Sequence, residues 1–135
     1  MPELHECSRV TDAASRTELT ALPKSVGNLR TLLTLKLSQC CDTTLPEWVG
    51  NLRALQTLDL SGCKTLALLP ESVGNLGALL TLNLSWCANL TALPESVGNL
   101  RTLLTLKLSD CSKLTALPES VGNLGALLTL DLFCC

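Results

Sequence analysis

The chain has 135 residues, enough for one domain, and 47% of them are hydrophobic although only 2% are aromatic. A net charge of −2 and a pI near 5.3 provide no basic field for a phosphate backbone, so nucleic acid is not expected as a partner. Polar residues interrupt every leucine cluster, so no apolar run reaches the ~20 residues of a membrane span. The N-terminus has neither a basic start nor an apolar stretch, and a secretory signal is not predicted.

Residues 1–18 do not share the pattern of the rest of the chain. The positions where a repeat would place leucine hold Ser8, Thr11 and Ala13. Thr11 is a good N-cap for a short helical turn. We therefore predict that this N-terminal segment is either a polar cap over the first coil or disordered.

From Leu19 to the C-terminus the chain repeats one short unit. The nine-residue stretch L-x-x-L-x-L-x-x-C, in exact or near form, begins at Leu32, Leu55, Leu79, Leu103 and Leu127. The Leu-Pro pairs that begin at Leu22 recur at intervals of 23, 24, 24 and 24 residues. Self-similarity at a fixed period in the twenties is typical of a solenoid. The sequence predicts a repeat domain over residues 19–135, with about five repeats of 23–24 residues.

Each unit combines a strand pattern with a return segment. Leucines at alternate positions point inward and the residue between them points outward, which predicts a short strand. Stacked coils place such strands side by side in a parallel sheet. The return segment begins with proline, which suits the first helical position, and glutamate follows in the first turn. Its Gly-Asn pair tolerates left-handed backbone angles and is predicted to end the helix after a turn or two.

The strand motif and the L-P-E-S-V-G-N-L return together resemble the leucine-rich repeat family. Within that family they look like plant intracellular disease-resistance receptors of the nucleotide-binding type, and like plant cytosolic proteins related to Ras-binding scaffolds. The resemblance implies an α/β fold, a right-handed solenoid with strands on its concave face and short helices or 3₁₀ turns on its convex face. It also implies a module that binds protein through the concave face, in plant intracellular recognition, defence or signalling.

Five of the eight cysteines occupy the ninth position of the repeat, which favours buried packing over a disulfide scaffold. They are Cys40, Cys63, Cys87, Cys111 and Cys135. With no secretory signal predicted, the expected compartment is the reducing cytoplasm, with the nucleus possible. Cys7, Cys41 and Cys134 lie outside the framework position and are expected to be the most reactive thiols.

The residues between the framework leucines are the candidate binding site, because the concave face usually holds the partner in the family that the chain resembles. The candidates are Lys36, Gln56, Asp59, Leu80, Asn83, Trp86, Leu104, Lys107, Asp110 and Asp131. Trp86 is the strongest single candidate for a binding residue, because tryptophan is the residue type most enriched in binding hot spots. The alternative is that its ring lies flat over its neighbours. For Trp48, on the return segment, local packing is favoured.

The candidate site has two further features, an apolar column with two alternative interpretations and two cross-strand charge pairs. A column made mostly of leucine, which includes Leu80 and Leu104, is either an exposed apolar patch or partly covered at the edge of the sheet. Lys36 with Asp59, and Lys107 with Asp131, are expected to face each other across neighbouring strands.

The C-terminal strand supports a second hypothesis. The chain stops at the end of a strand, and an open strand edge can pair with another chain. The candidate self-association residues are Leu128, Leu130, Leu132, Phe133, Cys134 and Cys135. In this hypothesis the protein is a structural module that forms a homodimer through its uncapped strand. A further alternative is that the chain is a fragment of a larger leucine-rich repeat receptor.

Catalysis is not predicted. His5 is the one histidine and lies outside the repeats, so no Cys–His or Ser–His pair can form within them. His5 and Cys7 supply only two potential ligands, too few for a zinc site. The sequence has no phosphate-binding loop of the Walker type and no G-x-G-x-x-G motif. No cofactor or metal is expected.

Overall fold

The computed structural model describes residues 3–4, 24–38 and 45–135, and within them six short strands form one parallel sheet in chain order. The strands are β1 (Glu3–Leu4), β2 (Thr34–Lys36), β3 (Thr57–Asp59), β4 (Thr81–Asn83), β5 (Thr105–Lys107) and β6 (Thr129–Asp131). The 3₁₀ helices are η1 (Lys24–Asn28), η2 (Glu47–Asn51), η3 (Glu71–Asn75), η4 (Glu95–Asn99) and η5 (Glu119–Asn123). Each helix precedes the strand of its own repeat, so strand and return alternate.

The register of the sheet is set by the repeat. Strands β2 to β6 pair at equivalent positions, as in Leu58 with Leu82 and Leu82 with Leu106. The framework leucines of successive coils therefore lie side by side at the strand spacing of about 4.8 Å. A solenoid of about five 24-residue repeats, with parallel strands and 3₁₀ returns, is confirmed.

Strand β1 comes from the segment that precedes the repeats. Glu3 pairs with Thr34 and Leu4 with Leu35, so the sheet continues by one strand beyond β2. The other residues predicted to form a cap or to be disordered, and His5 and Cys7 among them, lie outside the described residues.

Leucine, valine and cysteine side chains fill one continuous core along the solenoid. Leu58, Leu82 and Leu106, the middle residues of their strands, are fully buried. Val73 and Val97 reach the same core from the returns, and both are fully buried. Burial of one aliphatic side chain is worth roughly 1.5–3 kcal/mol, and each coil depends on its neighbours for that burial. The stability of the fold therefore depends on the stacking of several coils, and a single coil would not be stable by itself.

The proline of each return lies one residue earlier than the sequence pattern suggested. Pro70 is the N-cap of η3, with an extended backbone at ψ 152°, and its carbonyl accepts the N–H of Val73 at 3.1 Å. The 3₁₀ bond spans three residues, so the proline carbonyl starts the helix while the proline itself stays outside it. Glu71 then occupies the first turn, as predicted.

The glycine of the Gly-Asn pair serves close packing, which corrects the expectation of a left-handed backbone. Among the described glycines only Gly62, in a different turn, has a positive φ. A Cβ at Gly74 would lie 2.6 Å from the carbonyl oxygen of Ser96, and one at Gly50 would lie 2.6 Å from that of Ser72. These glycines therefore let successive 3₁₀ helices approach each other. Trp48 packs locally, as predicted: a Cβ on Gly27 would lie 3.1 Å from the Trp48 Cβ.

The described framework cysteines form a column of thiols that donate hydrogen bonds to backbone carbonyls. The Sγ of Cys63 donates to the carbonyl of Leu37 at 3.1 Å, that of Cys87 to Leu60 at 3.2 Å, that of Cys111 to Leu84 at 3.0 Å and that of Cys135 to Leu108 at 2.7 Å. Burial, reinforced by the neighbouring Cys63, raises the pKa of Cys87 to about 12. Burial also raises the pKa of Cys111. The thiols of Cys87 and Cys111 therefore stay protonated. Each of the four thiols bonds its coil to the preceding one.

Candidate protein-binding face

The exposed side of the sheet carries five columns of equivalent residues, which together we call the sheet face. The leucine column is Leu33, Gln56, Leu80, Leu104 and Leu128, and the threonine column is Thr34, Thr57, Thr81, Thr105 and Thr129. The central column is Lys36, Asp59, Asn83, Lys107 and Asp131, and the serine column is Ser38, Ser61, Ser85, Ser109 and Phe133. The turn column is Gly62, Trp86, Asp110 and Cys134.

The leucine column is partly covered within the array. Leu80 and Leu104 are half-buried, whereas Leu128 at the β6 end is 81% exposed. The backbone of this column is fully used between coils: the carbonyl of Leu80 accepts the N–H groups of Leu104 and Thr105 at 2.9 and 3.0 Å. Of the two alternatives, partial cover therefore describes the middle of the sheet and exposure describes its β6 end.

Three residues of the central column use their side chains to hold the turn after the strand. The Asp59 Oδ1 accepts the backbone N–H and the hydroxyl of Ser61 at 3.0 and 2.7 Å. The Asn83 Oδ1 accepts the N–H of Ser85 at 3.0 Å. The Asp131 Oδ1 does the same for the residue two positions later, Phe133, at 3.1 Å. These are Asx turns, in which a short polar side chain satisfies a nearby backbone donor.

The central column holds two lysines and two aspartates, with the neutral Asn83 in the middle. The register pairs Lys36 with Asp59 and Lys107 with Asp131, as expected from the sequence, and it pairs Asn83 with Lys107. Asn83 turns its Oδ1 toward the backbone, so its Nδ2 amide group is the part available to a partner. Lys107 is exposed, whereas Lys36 is half-buried.

The turn column has a left-handed backbone at every described position. The φ angles are 75° at Gly62, 66° at Trp86, 61° at Asp110 and 62° at Cys134. The N–H groups of Gly62, Trp86 and Asp110 each donate at 2.8 Å to the serine-column carbonyl of the next coil. Left-handed backbone costs a residue with a Cβ about 1–2 kcal/mol and costs glycine nearly nothing.

Trp86 combines this backbone strain with exposure, because 61% of its surface is open to solvent. The neighbouring coils place Gly62 on one side of it and Asp110 on the other. Asp110 is half-buried, and among the described residues its carboxylate has no hydrogen-bond or ion-pair partner. The exposed indole of Trp86 and the unbonded carboxylate of Asp110 therefore belong to adjacent positions of the turn column.

Two features of the sheet face were not predicted from the sequence. The threonine column faces outward in all repeat strands, and the signal for it was present, since threonine occupies that position in every repeat. The left-handed turn was signalled by Gly62 and more weakly by Asp110, because aspartate tolerates such angles better than most residues, whereas Trp86 and Cys134 give no such signal.

The residues predicted for self-association cluster at β6. Leu128 and Phe133 are 81% and 71% exposed, and Leu130 and Leu132 are each 39% exposed. Cys134 and Cys135 are exposed as well. A shallow cavity of about 160 Å³ lies at the same end, lined by Leu114, Thr115, Ala116, Leu117, Leu132 and Cys135.

Residues that could hold a metal ion do not cluster in the part of the chain that the structure describes: no group of three or more His, Cys, Asp or Glu side chains is suitably placed there. Within the same part, no helix has the length and apolar character needed to cross a bilayer.

In-register strands, 3₁₀ returns and an open face of variable residues define a solenoid repeat protein. The chain belongs to the leucine-rich repeat family: the family model described as a leucine-rich repeat region matches residues 24–91, half of the chain. Proteins of this family are typically non-enzymatic modules, and their repeat domains generally mediate contacts between proteins. A comparison with curated protein sequences found no match.

Solved structures support the same fold. A leucine-rich repeat protein of Leptospira interrogans is 33% identical, with a TM-score of 0.76 over 86% of this chain and 29% of that chain. The leucine-rich repeat domain of the type III effector XopL is 32% identical, with a TM-score of 0.74 over 85% of this chain and 40% of that one. The chain thus spans well under half of the length of either relative.

A plant receptor is also similar. The leucine-rich repeat ectodomain of the Arabidopsis thaliana membrane receptor kinase GASSHO1/SCHENGEN3 is 27% identical, with a TM-score of 0.66 over 84% of this chain and 14% of that chain. That ectodomain was solved in complex with CASPARIAN STRIP INTEGRITY FACTOR 2.

Proposed function

We propose that this chain is a protein-recognition module whose partner contacts the sheet face around Trp86. The observation that carries the proposal is that Trp86 is 61% exposed and held at φ 66°. Both properties oppose stability, whereas Gly62 forms the same turn at φ 75° without the strain that a Cβ brings and without an exposed apolar side chain. Strained residues cluster at sites where function requires them, and tryptophan dominates binding hot spots.

The surroundings of Trp86 suit an interface. Half-buried Leu80 and Leu104 supply apolar surface on the same face, while the Asn83 amide supplies a hydrogen-bond donor. A small apolar centre with polar groups at its rim is the usual composition of a protein interface. The remaining candidates flank this centre along the sheet face: Lys36, Gln56, Asp59, Lys107, Asp110 and Asp131.

We also propose a setting in plant intracellular recognition, defence or signalling, in the cytoplasm or the nucleus. The support for the plant setting is the sequence resemblance of the L-P-E-S-V-G-N-L returns, together with the similarity to the Arabidopsis ectodomain. The support for a reducing compartment is that Cys87 and Cys111 are buried free thiols.

The experiment that tests the binding proposal compares three immobilised chains: wild type, Trp86→Gly and Leu68→Ala. Leu68 is 63% exposed but lies outside the sheet face, so its substitution is a matched control for the loss of exposed apolar surface. Proteins bound from a cell extract are quantified by mass spectrometry. We expect a set of proteins that wild type and Leu68→Ala retain equally and that Trp86→Gly loses at least tenfold.

The choice of glycine at position 86 protects the experiment from unfolding, because glycine relieves the left-handed strain. Circular dichroism of the three chains checks that they fold alike. If Trp86→Gly retains every protein that wild type retains, the sheet face around Trp86 is not the binding site and the proposal fails.

A second candidate function, self-association through β6, is favoured by the exposed apolar side chains of that strand. Leu128 and Phe133 present the largest exposed apolar surfaces among them. A second copy, or a further coil in a larger leucine-rich repeat receptor, would cover the same residues. Light scattering coupled to size exclusion, with and without reductant, tests the homodimer. A mass near twice 14.4 kDa that persists in reductant and is lost in Phe133→Asp would support it, and a monomer would exclude it.

A further inference from the structure

We propose that Trp86 and Asp110 together recognise a basic side chain of the protein partner, arginine in preference to lysine. This inference rests on the proposed function, since it names the chemistry of the group that meets the sheet face at Trp86. It concerns two residues in adjacent coils whose backbone N–H groups are bonded and whose side chains, among the described residues, form no hydrogen bond.

The backbone fixes the two residues next to each other. The Trp86 N–H donates to the carbonyl of Ser109 at 2.8 Å, and Ser109 directly precedes Asp110. Both residues occupy the turn column, with φ angles of 66° and 61°, and the strands before them pair in register. Their side chains therefore leave the backbone in equivalent positions of neighbouring coils.

The electrostatics favour a cation. Among the described residues the Asp110 carboxylate has no hydrogen-bond or ion-pair partner, although Asp110 is half-buried. By contrast, Asp59 and Asp131 already accept backbone N–H groups. Asp59 and Asp131 use their Oδ1 atoms in this way, so Asp110 is the carboxylate of the sheet face with both oxygens open to a ligand.

Trp86 supplies the second half of the site. Its indole is mostly exposed, and the next position of the turn column, Gly62, has no side chain to fill the space beside it. A guanidinium group stacks on an indole more favourably than on other rings and forms paired hydrogen bonds with a carboxylate. An ammonium group can do only part of this, because it is a compact point charge without a planar surface.

Lys107 is the internal competitor for Asp110. It lies three residues earlier in the same coil, and its strand position faces Asp131 across the sheet. Its exposed ammonium group would compete with an incoming cation for both carboxylates. Replacement of Lys107 by methionine, which keeps the apolar stem, should therefore strengthen the binding of a basic ligand.

The experiment uses a phage-displayed random heptapeptide library selected on the full 135-residue chain and, in parallel, on Trp86→Gly and Asp110→Asn. We expect wild type to enrich peptides that share an arginine, and both variants to lose that enrichment. In fluorescence titrations of one such synthetic peptide, Asp110→Asn should weaken binding about 5- to 30-fold. Lys107→Met should tighten it.

A peptide in which norleucine replaces the arginine completes the test. The replacement should weaken binding to wild type, yet make little further difference in Asp110→Asn, because the carboxylate that reads the guanidinium is already neutral. Equal losses in the two chains would overturn the proposed pairing.

The outcomes separate this inference from the function on which it rests. Peptides that need Trp86 but carry no basic residue, or that bind Asp110→Asn unchanged, would overturn the arginine site and leave the binding face in place. A library that yields no Trp86-dependent peptide would overturn both. Circular dichroism of every variant identifies any loss of binding that comes from unfolding.

Discussion

Gly62 and Trp86 occupy the same position in successive coils and share a left-handed backbone, with φ angles of 75° and 66°. Each donates its N–H at 2.8 Å to the serine-column carbonyl of the next coil, so the turn is the same in both. Only the side chain differs: one coil uses the residue that the turn prefers, and the next uses a residue that the turn disfavours. Stability and recognition therefore place opposite demands on position 86.

Trp86→Gly should keep or increase the stability of the fold. The change removes about 1–2 kcal/mol of left-handed strain, and the added freedom of the unfolded chain offsets about 0.5–1 kcal/mol of that gain. We expect the free energy of unfolding in urea to be unchanged or up to about 1.5 kcal/mol higher. A decrease would mean that the indole packs against the fold more than its exposure indicates.

Gly74→Ala should destabilise the fold, whereas Gly77→Ala should not. A Cβ at Gly74 would lie 2.6 Å from the Ser96 carbonyl oxygen, while one at Gly77 meets no atom within 4 Å. We expect a loss of about 1–3 kcal/mol in the first variant from overpacking. The second should gain about 0.4–1 kcal/mol because its unfolded chain is less flexible. Parallel urea titrations compare the two, and equal stabilities would contradict the close approach of η3 and η4.

Asp59→Ala should cost about 1 kcal/mol, because the Ser61 N–H and hydroxyl lose their common acceptor. Asp59→Asn keeps an oxygen at the same place and should lose much less. Thermal unfolding of both variants distinguishes the contribution of the Asx-turn hydrogen bonds from that of the negative charge of Asp59. Equal losses would show that the negative charge of Asp59, rather than the Asx turn, stabilises the coil.

The stability of the fold should decline in alkaline solution as the buried thiols ionise. Burial raises the pKa of Cys87 from 9.0 to about 12, so the folded chain holds a proton that the unfolded chain releases. The contribution of this thiol is complete below pH 9 and is lost as the pH rises toward 12. Urea midpoints across this range should fall less in Cys87→Ala than in wild type, with Cys134→Ala as the exposed control.

The sequence was sufficient for the fold because one simple pattern repeats. Leucines at alternate positions specify the strand, and proline followed by glutamate marks the start of each return. The finer geometry depended on contacts between coils. Gly74 has ordinary backbone angles and is required because Ser96 of the next coil approaches it, a relation that no single repeat contains.

The sequence predicted which residues form the columns of the candidate site. It did not predict which of their side chains bond to the backbone and which stay available to a partner. Asn83 and Asp110 both appear in the sequence as polar residues of an exposed face. The structure separates them, since the Asn83 Oδ1 is bonded to its own turn and the Asp110 carboxylate is open. That difference arises from which side chain lies within reach of a backbone N–H, and residue type alone does not specify it.

The hydrogen-bond ladder of the sheet joins backbone groups of successive coils, so it does not depend on which side chain stands at an exposed position. The N–H of Leu60 meets the carbonyl of Asn83 at 2.8 Å, and the N–H of Leu84 meets that of Lys107 at the same distance. The backbone groups of an added 24-residue repeat could therefore bond to those of the neighbouring coil, whichever side chains the new repeat exposes. Such a chain can lengthen by gene duplication first and diversify its surface afterwards, one coil at a time.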